Sequence, residues 1–317
     1  MKTAFILFAA LCVARVAPAA DAGLLSLVMP DATVIAGLKV DKAKVSPFGL
    51  YVLSHMQPDT ADYQKFVTDT SFDPRRDLTE IVMASNASAN VSSHWLIVAR
   101  GQFNQHKIAM AAQQNGATVS NFMGVDLLAG PDMKNAGGSV VAFLDGTSAA
   151  FGDTESVKSA IGRSKKQSVA DFKLMAKVNA ISGKYDFWFA TLAPVSEFAA
   201  LMPDPNMSQA MKGTMLQSIQ QASGGVNFGA NVQFAAELMA RSEKDAGALV
   251  DVVRFVAGLI TLNRDKNQTA GQMSSLVDTM QIGAVGNVMS MSLSIPELQL
   301  EHLLESMQGP KQAAKIR

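Results

Sequence analysis

The densest grouping of ionic side chains in the sequence runs from Asp69 to Glu80, DTSFDPRRDLTE. Arg75 and Arg76 could present two planar forks to a carboxylate or a phosphate, because a guanidinium donates in the geometry that either anion accepts. Asp73, Asp77 and Glu80 stand close enough to neutralise them, so local ion pairing around a proline turn accounts for the same letters. These arginines are the best candidate contacts for an anionic ligand.

A second chemistry-bearing pattern is thioether. Met207, Met211 and Met215 recur at four-residue spacing, which places them on one helical face, and Met202 lies just before them. Such a stripe suits an adaptable apolar surface for a lipid, a peptide or a partner helix, since thioethers repack readily. Ordinary core packing and a cuprous site are the other readings of the same spacing.

Metal chemistry finds little support. His55, His94, His106 and His302 are too far apart for a local ligand pair, and Glu297, Glu301 and Glu305 around His302 read equally as a solvated helix face. Asn263 to Ser274 places oxygens as a calcium loop does, but Gln268 replaces the loop glycine and Ser274 the closing glutamate. The expectation is no metal and no cofactor. The chain also lacks a Walker loop, a dinucleotide glycine fingerprint, a Gly-x-Ser-x-Gly elbow, a Ser-x-x-Lys dyad and His-Glu-x-x-His. Residues distant in sequence can assemble a site, but the missing spacings favour a binding protein over an enzyme.

The elements that must position these residues follow one local grammar, in which an apolar strand runs into a polar or proline cap that opens a helix. Thr33 to Val40 leads to Ser46-Pro47; Trp95 to Phe103 leads to Asn104; Ser148 to Gly152 leads to Asp153-Thr154. Phe187 to Leu192 leads to Pro194, Val232 to Arg241 to Ser242, and Val288 to Ile295 to Pro296-Glu297. Cap oxygens accept from first-turn amides, and proline at the first helical position loses no hydrogen bond. Strands alternate: Val232, Phe234 and Ala236 oppose Asn231, Gln233 and Glu237, which suits an antiparallel sheet wet on one side. In Glu243 to Leu262 the stripe Leu249, Val253, Val256, Ile260 is widened by Val252, Phe255 and Leu259, which predicts a largely buried helix.

The chain has 317 residues, is 48% apolar and balances 27 basic against 27 acidic side chains, a globular composition with no net field for nucleic acid. Its length predicts an α+β protein of two tandem lobes, each an antiparallel sheet covered by helices on one face. The lobes would span 20–167 and 168–308, divided in the polar stretch Ser164 to Val169, with a flexible basic tail over 309–317. Lys2, the apolar run Ala4 to Val13 and the small residues Ala17-Pro18-Ala19 read as a secretory signal peptide over 1–19, too short to span a bilayer. Cleavage near Ala19 would remove Cys12, leaving a thiol-free, secreted or periplasmic bacterial protein with no transmembrane segment. The sequons at Asn86, Asn90, Asn206 and Asn267 would then be inert.

The stretch Val226 to Leu304, with AAELMARS, a helix opened by Glu243-Lys244-Asp245-Ala246 and a closing strand Gly286 to Ser294, resembles a recurrent β-α-α-β element. That element belongs to secreted bacterial proteins frequent in soil-dwelling groups, a family of unknown function. Ser46-Pro47-Phe48-Gly49 and Phe72 to Leu78 (FDPRRDL) resemble the same proteins. The resemblance implies export and an α+β fold. The expected function is a non-catalytic binding or scaffolding protein of the bacterial envelope, with an apolar ligand, a peptide or an envelope protein as partner. The alternative is a hydrolase with a dispersed site between the lobes, acting on an anionic substrate through Arg75 or Arg76.

Overall fold

The structure is a computed structural model that describes residues 19–55, 60–86, 94–131, 138–192, 216–262, 264 and 268–307. A one-turn helix α1 (Ala22–Leu25) precedes β1 (Val34–Lys39), α2 (Val40–Ala43), α3 (Pro47–His55), α4 (Ala61–Thr70) and α5 (Pro74–Asp77). Strands β2 (Leu78–Ser85) and β3 (Trp95–Gly101) lead to α6 (Gln105–Gln114). A meander of β4 (Thr118–Phe122), β5 (Val125–Ala129), β6 (Ser139–Phe143) and β7 (Ser148–Asp153) ends in α7 (Thr154–Lys166), followed by α8 (Met175–Ile181) and β8 (Phe187–Thr191). Then come β9 (Ile219–Asn227), β10 (Asn231–Ala240), α9 (Glu243–Leu262), α10 (Gln268–Asp278), β11 (Gln281–Val285), β12 (Val288–Pro296) and α11 (Glu297–Met307).

The caps form as their chemistry requires. Asn104 accepts from the Lys107 amide at 3.1 Å, Asp153 from Ser156 at 3.0 Å and Ser242 from Asp245 at 3.1 Å, which quenches first-turn donors of α6, α7 and α9. Pro296, expected to open the last helix, instead closes β12 opposite Asn231.

The helices and the antiparallel pairing agree with an α+β fold, but the strands form one sheet and not two. Its order is β11-β12-β10-β9-β8-β1-β2-β3-β7-β6-β5-β4. The join is the pairing of β8 with β1, where Trp188 stands opposite Gly37. The expected linker at Ser164 is the last turn of α7, closed by Gln167 in the left-handed region (φ 48°). Its basic residues Arg163, Lys165 and Lys166 complement the negative helix end, so polarity there marks a terminus of a helix. The expected leader, apart from Ala19, and the basic tail lie outside the described residues.

The helices do not keep to one face either. Paired residues share a face, so Trp188, Gly37, Val82, Val98 and Ala150 lie in one row across β8, β1, β2, β3 and β7. This first face is buried under α1, α7 and α8, whose Leu24, Ile161 and Val178 join Trp188, Val82 and Val98 in the main core. Continued into β9, β10 and β12 the same row becomes Gly225, Ala235 and Ser292, a small and polar surface. There the helices have crossed to the second face: Leu249 and Val250 of α9 pack on Met289 and Leu238, and Leu276 and Leu300 on Val232 and Ile295. The serines of β12 are accordingly on the side away from α9, α10 and α11, which agrees with the one wet side that the alternation of β10 predicts.

Candidate functional site: an uncovered apolar face

Among the described residues, α4 and α6 cover the second face of the first half only at its β5–β6 end, where Phe66, Phe72 and Phe103 form a chain of ring contacts onto Phe143, and its middle around Met83 carries no described helix. Along β1, β2 and β8, buried residues alternate with half-buried ones, and the half-buried set is apolar too. Two cross-strand ladders make the surface. Phe189, Ala36, Met83, Ile97, Phe151 and Val141 stand side by side on β8, β1, β2, β3, β7 and β6, and Phe187, Leu38, Ile81 and Ala99 form the next rung. Trp95 packs edge-on to Phe151 with ring centroids 4.9 Å apart. Among the described residues, none of these belongs to a buried cluster or packs against one. Six strands spaced by about 4.8 Å make a surface about 24 Å across. Met83, at its centre, is 45% exposed.

Sequence reasoning missed this surface, although the signal was present. Phe187-Trp188-Phe189-Ala190 and Trp95-Leu96-Ile97-Val98 are continuous apolar runs, the pattern of strands covered on both sides, unlike the alternating β10 and β12.

The other bare surface is its counterpart in the second half. A groove of about 390 Å³ crosses β9, β10, β12 and β11, lined among others by Tyr185, Ser223, Ala235, Ser290 and Ser292. Glu237 at its margin is paired with Lys177 at 2.6 Å. Burial, with the nearby Glu237 carboxylate, raises the Tyr185 phenol above its ordinary range, so it stays a neutral hydroxyl.

The arginine pair falls elsewhere, in α5. Asp73 caps that turn, accepting from the Arg75 amide at 2.9 Å, and takes both the Nε and an Nη of Arg75 at 3.2 and 3.1 Å. The Arg75 guanidinium also lies over the Tyr63 ring, 4.8 Å from its centroid, while the Tyr63 hydroxyl donates to Asp73 at 2.7 Å. Arg76 forms two 2.7 Å bonds to Asp77. Burial pushes the Asp73 carboxyl up, but bonds from Arg75 and Tyr63 outweigh it and hold it at about 2. Both forks are engaged within their own turn. The methionines Met202, Met207, Met211 and Met215 lie outside the described residues.

One further polar junction has the residue types of hydrolytic chemistry without its connectivity. His94 Nδ1 meets Asp153 at 3.2 Å, but Ser156 donates to the same carboxylate at 2.7 Å and makes no bond to the imidazole. Asp153 also accepts from the Trp95 amide at 2.9 Å, so it ties β3 to the start of α7. Among the described residues no group of three His, Cys, Asp or Glu could hold a metal ion, and no helix is long and apolar enough to cross a membrane.

No family model and no curated protein matches the chain. Among solved structures, the one titled "Structure of crystal form I of TP0453" aligns with 91% of this chain and 99% of its own, at 12% identity and a TM-score of 0.48, a likeness too remote to transfer a function.

Proposed function

We propose that the protein is a non-catalytic binding protein of the bacterial envelope, which holds an apolar ligand on the open face of β8, β1, β2, β3, β7 and β6. The observation that carries this reading is the ladder Phe189, Ala36, Met83, Ile97, Phe151, Val141: apolar side chains on a stretch of the second face that, among the described residues, no buried cluster includes. Water against such a surface is costly, and covering about 300 Å² of it would release roughly 7 kcal/mol before the entropy of association is charged. An acyl chain, an apolar peptide segment or an envelope protein would supply that cover. The leader pattern in residues 1–19 and the β-α-α-β resemblance support export to the periplasm or beyond. The hydrolase alternative has less support, because Arg75 and Arg76 are already paired to carboxylates.

The test is titration with an anilinonaphthalene probe and its displacement by palmitate, by phospholipid and by apolar peptides. Saturable binding is expected, with Met83→Asp weakening it at least about tenfold, since a carboxylate on this face must be desolvated under the ligand. Met83 is exposed enough for the variant to keep its fold. Probe binding that does not saturate, or that ignores Met83→Asp, would refute the assignment.

A further inference from the structure

The long helix α9 turns an apolar seam away from its own core. Ala246, Leu249 and Val250 are buried against the sheet and Ala257 is buried too, yet Val252, Phe255, Val256, Leu259 and Leu262 on the opposite side are 41–81% exposed, Phe255 67% and Leu262 81%. This corrects the expectation of a largely buried helix. Four of the exposed residues, with the half-buried Ala248 before them, have a period. Ala248, Val252, Phe255, Leu259 and Leu262 are separated by four, three, four and three residues, the spacing of a coiled-coil seam. A helix packed on its inner side, against the sheet and α10, has no need of that spacing on its outer side.

We propose that α9 pairs with α9 of a second copy of this chain, antiparallel about a two-fold axis through Phe255. Three features favour this occupant. The seam is self-complementary: around the axis Phe255 meets Phe255 of the second copy, Val252 meets its Leu259, and the small Ala248 meets its protruding Leu262. The seam is also uncharged, because Asp251 and Arg254 lie off it, and Arg254 is turned aside to the Ile282 carbonyl at 3.3 Å. Antiparallel pairing also opposes the dipoles of the two helices, each acidic first turn lying beside the other helix's C-terminal end. The area suffices as well. The five exposed side chains present roughly 500 Å² per copy, so the pair would bury roughly 1,000 Å², the lower bound of a specific interface and consistent with micromolar association. A bilayer surface fits less well, since an interfacial helix carries several cations on its polar face and α9 has only Lys244 and Arg254.

Sedimentation equilibrium of the full chain tests the proposal. Wild-type protein is expected to reach twice the monomer mass in the micromolar range, and Phe255→Glu to weaken association at least about 30-fold with an unchanged circular dichroism spectrum. Because Phe255 meets its own counterpart, Phe255→Glu and Phe255→Lys should each be monomeric and should form a heterodimer when mixed. A wild-type monomer throughout that range, a dimer indifferent to Phe255→Glu, or no recovery on mixing would overturn the proposal. Flotation of a wild-type monomer with phosphatidylethanolamine and phosphatidylglycerol vesicles, lost in Phe255→Glu, would overturn it in favour of a membrane surface.

Discussion

Gly37→Ala should damage the join between the two halves of the sheet. A Cβ at residue 37 would stand 2.3 Å from Cζ2 and 2.4 Å from Cε2 of Trp188, against an ordinary contact of about 3.5 Å or more. The indole is fully buried on β8 and cannot swing clear as a flexible tip would. Gly37 is therefore an empty slot in β1 that the ring fills. Overpacking of this kind costs about 1–3 kcal/mol, and the reduced chain entropy of alanine returns about 0.5 kcal/mol. The expected net loss is about 2 kcal/mol, or a fall in Tm of about 4–8 °C. A double-mutant cycle with Trp188→Leu isolates the cause. Trp188→Leu is itself destabilising, but adding Gly37→Ala to it should then be neutral, a coupling of about 2 kcal/mol. Urea denaturation followed by circular dichroism measures all four proteins. An undiminished Gly37→Ala penalty in the Trp188→Leu background, or no penalty in the parent, would refute the slot.

Asp73→Asn tests the α5 network through pH. The Asp73 carboxyl is held at about 2 in the folded chain against an ordinary 3.8, so it contributes stability fully above about pH 4 that is lost as pH falls toward 2. Acid unfolding of the variant should start from a lower stability at pH 6 and show a shallower slope between pH 4 and 2. Asp153→Ala removes the α7 cap and the partner of the Trp95 amide, and should cost about 2–3 kcal/mol in urea denaturation, with faster amide exchange at Trp95. Arg163→Met strips the Leu27 carbonyl of bonds at 3.1 and 2.6 Å from a half-buried guanidinium; a cost of about 1–3 kcal/mol is expected, with hydrogen exchange rising over α1.

Much of the local structure was legible in the letters. Asn104, Asp153 and Ser242 announce helix starts because each offers a cap oxygen just where an apolar strand ends. The serine and methionine alternation of β12 likewise announces one polar and one packed face. What alternation cannot encode is which face a neighbouring helix will occupy, and so the crossover of helices between β8 and β9 was invisible. The same ambiguity misled the reading of α9: an apolar arc of 3.6-residue period is identical in letters whether the sheet takes all of it or only half. The arginine forks were found in sequence together with the acids that occupy them, and the geometry of α5 weighs toward pairing. The open ladder went unread because its members sit in continuous apolar strands, where a second buried face is the ordinary inference.

The pairing of β1 with β8 also sets an order of events. Val34 finds its neighbour Thr191 at a sequence separation of 157, whereas its other partner, Ser85, is far nearer. At a synthesis rate of about 5–20 residues per second, β1 would wait about 8–30 s with one edge unpaired. For that interval a nascent chain presents a naked strand edge beside an indole slot with no indole in it, the kind of edge on which chains aggregate. Folding of this protein should therefore depend on whatever escorts the chain until residue 191 has emerged, and slowing synthesis between β7 and β8 should lower the yield of native protein.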